Sequence, residues 1–235
     1  MSRDYTQLPA ATADKGTCKR PPPDTPVPLS YDHRMGFPLA SLAHRDGTPT
    51  EDHVVQLHGA TWADYERILE IRGDKSAPRI TYLDGLLEIM SPSRDHENLK
   101  SLIGCLVETY CLDKGIRFTT LGSWTLKDEE KKKGAEPDEC YVFGDGEYER
   151  PHLAIEIIWT WGRIDKLDIY RKLGVQEVWY WRNGALQPYV LRGQRYVPIE
   201  SSEALPDLDL ALLVSFLDQP TTYDAMQAYR AALEA

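Results

Sequence analysis

The stretch HLAIEIIWTW, residues 152–161, constrains this chain most. It is apolar enough for a strand buried on both faces, yet Glu156 sits in its middle. An isolated carboxylate taken out of water costs several kcal/mol unless something pairs with it. Any fold that buries this strand must therefore bring Glu156 a partner. Side chains alternate along a strand, so Glu156 shares its face with Ala154 and Ile158.

The next segment offers that partner. RIDKLDIYRKLG reads as a short helix ending at Gly174. At about 100° per residue, Ile164, Leu167, Ile169, Tyr170 and Leu173 fill one broad arc. Lys166 falls inside that arc, whereas Asp165, Asp168 and Lys172 lie opposite. An ammonium is thus aimed at the core, one connection away from the embedded carboxylate. A third charge stands upstream in AEPDECYVF, where Asp138 follows Pro137 at the mouth of an apolar strand. If that strand neighbours HLAIEIIW, Asp138 and Glu156 converge. Two adjacent carboxylates are best tolerated around a cation. Mg²⁺ or Mn²⁺ suits this oxygen-rich set better than zinc, because no cysteine or histidine cluster has zinc spacing. Such a site points to metal-assisted phosphodiester hydrolysis.

Around this centre, residues 1–50 hold half of the chain's 16 prolines and read as a flexible arm. Residues 51–218 read as one α/β domain, a mixed sheet with helices packed on it and added hairpins. Residues 219–235 read as a helical tail. Thr61 and Ser93 are N-cap candidates for TWADYERILEIRG and for the long helix that ends near Gly115. Asp84-Gly85 and Asn183-Gly184 are hairpin turns. IRFTTLGSWTLK is strand-like, and DEEKKKGAEPD reads as a charged, solvated loop.

The order Pro137-Asp138, Glu156, Lys166 resembles the PD-(D/E)XK nuclease superfamily. The text YLDGLLEIMSPSRDHENL, AEPDECYVF, HLAIEIIW and DKLDIYRKLGVQEVWYW is most similar to its Uma-two family. That resemblance implies a restriction-endonuclease-like fold, a divalent metal held by Asp138 and Glu156, and DNA as substrate. It gives Lys166 the role of positioning the nucleophile, with Glu88 and His96 as auxiliary residues. The superfamily lysine usually stands two residues after the glutamate, where this chain has Ile158. Here it is displaced to the next helix.

Blander readings stand beside these. Asp138 also fits a turn cap, Glu156 with Lys166 a structural ion pair, Glu88 an exposed hairpin residue, and His96 a helix start. Trp159, Trp161, Trp179 and Trp181 suit core packing better than base stacking. VQEVWYW is a candidate homodimer strand. The net charge of -10 argues against non-specific coating of nucleic acid. It leaves, as an alternative to the enzyme, a non-catalytic nucleic-acid-binding or assembly protein on the same scaffold. The four cysteines read as reduced thiols. With no run of roughly 18 apolar residues and no secretory signal at the N-terminus, the sequence reads as cytoplasmic, with no membrane partner.

Overall fold

The computed structural model describes residues 51–158 and 164–234. The expected arm, Trp159 and Trp161 lie outside the described residues. In chain order the elements are β1 (His53–His58), α1 (Trp62–Arg72), β2 (Arg79–Leu83), β3 (Leu86–Ser91), α2 (Arg94–Asp113), β4 (Phe118–Thr120), β5 (Leu126–Asp128) and β6 (Lys133–Ala135). There follow β7 (Glu139–Phe143), β8 (Leu153–Ile157), α3 (Lys166–Leu173), β9 (Glu177–Arg182), β10 (Ala185–Arg192), β11 (Arg195–Pro198), α4 (Leu210–Val214) and α5 (Thr222–Leu233).

The strands form two sheets rather than one. A five-stranded antiparallel sheet has the order β1-β3-β2-β6-β5. A six-stranded sheet has the order β11-β10-β9-β8-β7-β4, and within it β8 and β9 are parallel. A parallel pair needs a crossover connection, and α3 lies on it.

β8 is buried along its whole length. Leu153, Ile155 and Ile157 join Trp179 and Trp181 in a core with Leu99, Ile103 and Leu106 of α2 and Ala225 and Tyr229 of α5. Ala154 faces the other way, with Cys140, Val178 and Tyr180 against Ile169 and Tyr170 of α3. Alternation puts Glu156 on that second face, under α3. A smaller core packs Trp62 and Tyr65 of α1 on Ile80, Tyr82 and Leu87.

The turns and caps form where their residues demand. Asp84-Gly85 and Asn183-Gly184 all have positive φ, as a tight hairpin turn requires. Thr61 and Asp64 form a capping box on α1, and Ser93 accepts from the His96 N–H at the start of α2. Gly174 closes α3 in the left-handed region.

Several sequence expectations change. IRFTTLGSWTLK is two strands in different sheets, β4 beside β7 and β5 beside β6. The charged loop contains β6, and only its first part is solvated. Lys131 and Lys132 are exposed, whereas Lys133 is buried through an ion pair with Asp84 at the hairpin tip. Gly134 beside it must lack a side chain, because a Cβ there would overlap the Tyr65 ring. β1 is a strand that periodicity did not reveal, since its polar residues and exposed edge blur the alternation. VQEVWYW, as β9, lies between β8 and β10 with Trp179 and Trp181 buried. It offers neither an edge for a second copy nor a ring for a base. Cys105, Cys111 and Cys140 are free thiols.

Candidate active site

The site grows from the pairing of β7 with β8. Glu139 stands opposite Ile155 in this antiparallel register. One step further along both strands sets Asp138 across from Glu156. Asp138 Oδ2 accepts the Ile157 N–H at 2.7 Å, which locks the start of β7 to the end of β8. Lys166 is the first residue of α3, and its Nζ lies 3.0 and 2.8 Å from the two oxygens of Glu156. The same nitrogen donates to the main-chain carbonyl of Glu136 at 2.9 Å. Tyr170, one turn further along α3, donates its hydroxyl proton to Glu156 Oε1. Asp138, Glu156 and Lys166 are thus brought together, with 0, 1 and 3% of their surface exposed. A helical partner for the buried glutamate was legible from the sequence. Tyr170 carried the same signal, being four residues on and in the same arc.

His96 is fully buried on the first turn of α2 and joins this cluster. Its Nε2 is 3.1 Å from Asp138 Oδ1, and its Nδ1 is 2.9 Å from Asp52 Oδ2. Arg79 Nε approaches the same Asp138 oxygen at 3.3 Å, while its Nη2 holds Glu97 at 2.7 Å. Both contacts to Asp138 Oδ1 are at ion-pair distance, so this buried oxygen has two charge partners. Burial opposes ionisation of Asp138, but the charges of His96 and Arg79 override it and hold the carboxyl well below the usual range. Burial likewise opposes a charge on His96, and the carboxylates of Asp138 and Asp52 outweigh it, raising the imidazole to about 9. For Glu156, burial and the neighbouring Asp138 charge push the pKa up against the pull of Lys166. Two carboxylates in one cluster are therefore pushed in opposite directions.

Glu88 is not an exposed hairpin residue. It is 1% exposed on β3, and its Oε2 accepts from Gln56 Nε2 at 2.9 Å and from the Ile164 N–H at 3.2 Å. It thereby stands beside the approach to α3, with no bond to Asp138 or Glu156 among the described residues. Sequence reasoning missed Asp52, Arg72, Arg79 and Glu136. The Glu136 carboxylate is wholly buried, bonded to Arg72 at 2.6 Å and to the Ile80 N–H at 2.9 Å. These bonds fix the main chain whose carbonyl holds Lys166. Glu136 stands two residues before Asp138, which was a local signal. Asp52, Arg72 and Arg79 are brought in by sheet pairing and helix docking, which leave no mark in sequence spacing.

The donors suit a hard divalent cation. Among the described residues no group of three or more His, Cys, Asp and Glu side chains forms a ready metal cage. Mg²⁺ seldom uses one; it is commonly held by one or two carboxylates while keeping several waters. Asp138 and Glu156 are the two carboxylates of the cluster that could hold it, with Arg79 and His96 standing at the Oδ1 side of Asp138 and Lys166 at Glu156.

No helix among the described residues is long and apolar enough to cross a membrane. No curated protein matches the chain. Residues 62–219 match the Uma2 family, described as "Putative restriction endonuclease". That span covers well over half of the 235 residues and includes Asp138, Glu156 and Lys166. The mixed helices and two sheets are consistent with a restriction-endonuclease-like fold. The chain belongs to the Uma2 family.

Proposed function

We propose that this protein is a Mg²⁺- or Mn²⁺-dependent endonuclease that hydrolyses DNA phosphodiester bonds. The observation that carries this reading is the meeting of Asp138, Glu156 and Lys166 in one buried cluster of a Uma2 chain. When bound, the cation supplies Lewis-acid polarisation of a phosphoryl oxygen and a lowered pKa for a water. Asp138 and Glu156 are the residues that would hold it, and its charge would relieve their mutual repulsion. Lys166 positions the attacking water. Its ammonium has three donors and three acceptor contacts, so it releases one to take up that role. Burial keeps bulk water away and strengthens each of these interactions. Glu88 steadies the approach to α3 through Ile164. A double-strand cut needs a second active site, which a second copy of the chain would supply.

The rival is a nucleic-acid-binding or assembly protein that keeps the scaffold without the chemistry. It is favoured by the completeness of the ion pairing, since Lys166 already satisfies Glu156, and Arg79 and His96 already neutralise Asp138. Purified protein incubated with plasmid and with single-stranded DNA, in Mg²⁺ or Mn²⁺, separates the two. The enzyme reading expects cleavage that is abolished in Asp138→Ala and Glu156→Ala. It expects Lys166→Ala to lower the rate about 10²- to 10³-fold. Retained DNA binding without cleavage in either metal overturns it. Sedimentation equilibrium with and without DNA tests the second copy.

A further inference from the structure

Asp52 stands ten residues before the family match begins and contacts His96, which faces Asp138. Its two oxygens are divided. Oδ1 accepts the N–H of Ser93, the N-cap of α2, at 2.8 Å. Oδ2 lies 2.9 Å from His96 Nδ1. Ser93 in turn accepts the His96 N–H, so backbone and ring are gripped from both sides. The far nitrogen of that ring faces Asp138 Oδ1 at 3.1 Å. All four residues are nearly or wholly buried, and Asp138 and His96 have no measurable exposure. A bond buried this deeply holds its geometry, because no water competes for the partners.

We infer that Asp52 and His96 form a positioning pair for Asp138: Asp52 fixes the imidazole, and the imidazole fixes the Oδ1 side of the carboxylate while Ile157 fixes Oδ2. The pair touches neither substrate nor reacting atoms. It sets the direction in which Asp138 presents its oxygens, as residues behind a metal-binding side chain commonly do, and loss of such a residue typically weakens metal affinity about 10- to 100-fold. Arg79 neutralises the same oxygen but cannot replace the pair, because its guanidinium is also committed to Glu97. A carboxylate just outside the family match thereby becomes part of the working site.

This inference rests on the metal-binding reading above, and its test separates the two. Mn²⁺ affinity of the full chain, without DNA, is measured by electron paramagnetic resonance or calorimetry. Circular dichroism and thermal melts of each variant report folding. Asp52→Asn weakens Mn²⁺ binding about 10- to 100-fold with the fold retained, and Asp64→Asn, a change in the exposed cap of α1, leaves it as in the wild type. Histidine variants distinguish positioning from packing if Asp52→Asn fails to fold. His96→Asn keeps a group near the Nδ1 position and loses the one facing Asp138, so it binds Mn²⁺ weakly. His96→Gln places an amide near the Nε2 position, so it binds more tightly than His96→Asn. Equal affinities for the two histidine variants, or wild-type affinity in a folded Asp52→Asn protein, overturn the positioning pair while Asp138→Ala still abolishes binding. Absence of Mn²⁺ binding in the wild type, or unchanged binding in Asp138→Ala, overturns the metal reading itself and the pair with it.

Discussion

Glu156 is held between burial and the Asp138 charge, which push its pKa up, and Lys166 and Tyr170, which pull it down. Removing the Lys166 ammonium leaves only Tyr170 against burial and the Asp138 charge. Breaking a buried ion pair by deleting one partner costs about 3–5 kcal/mol, because the other charge stays buried and uncompensated. Lys166→Met is therefore expected to lose stability on that scale in urea unfolding. Adding Glu156→Gln to it should restore part of the loss, since the stranded charge is gone. A double-mutant cycle on these two changes should give a coupling of about 0.5–3 kcal/mol, whereas additive losses would mean that the two side chains act separately. Tyr170→Phe removes one hydrogen bond to the same carboxylate and should cost about 1.5–3 kcal/mol in the same assay.

The elements owe their positions to a few close fits. β6 is short, yet it links β2 to β5 and leads straight into Glu136 and Asp138. Its course depends on Gly134, where the Tyr65 ring of α1 occupies the space that a side chain would need. Tyr65 is fully buried and cannot swing into solvent. Gly134→Ala should destabilise the fold by about 1–3 kcal/mol through overpacking, read as a lowered urea midpoint with unchanged slope. At the start of α2, Ser93 accepts from the His96 N–H and donates its own N–H to Asp52. Ser93→Ala should cost about 0.5–2 kcal/mol, the usual loss for an N-cap, measured by thermal melting.

At the scale of the whole molecule, both sheets contribute residues to the site. The six-stranded sheet provides Glu156 on β8 and sets Asp138 at the mouth of β7. The five-stranded sheet provides Arg79 on β2 and Glu88 on β3. Helices α2 and α3 add His96 and Lys166. A cation that binds only where these parts have assembled must stabilise the folded state. At a free Mn²⁺ concentration one hundred times its dissociation constant, the gain is about 2.7 kcal/mol. Thermal melts should show this increment with Mn²⁺, its removal by a chelator, and its absence in Asp138→Ala. An increment that persists in Asp138→Ala would place the cation elsewhere.

The sequence by itself determined what is local. Hairpin turns at Asp84-Gly85 and Asn183-Gly184, caps at Thr61 and Ser93, and the buried strand with its aberrant Glu156 follow from turn chemistry and periodicity. So does the core-facing Lys166, because helical spacing acts over one or two turns. Tertiary structure decided which distant charges share a space. The split of IRFTTLGSWTLK between two sheets, the burial of Lys133 and the edge strand β1 depend on pairings that no local pattern encodes. Asp52 reaches His96, and His96 and Arg79 reach Asp138, for the same reason. A carboxylate is pulled into the interior by whichever cation the packing brings beside it, and that choice is made between layers of the fold rather than along the chain.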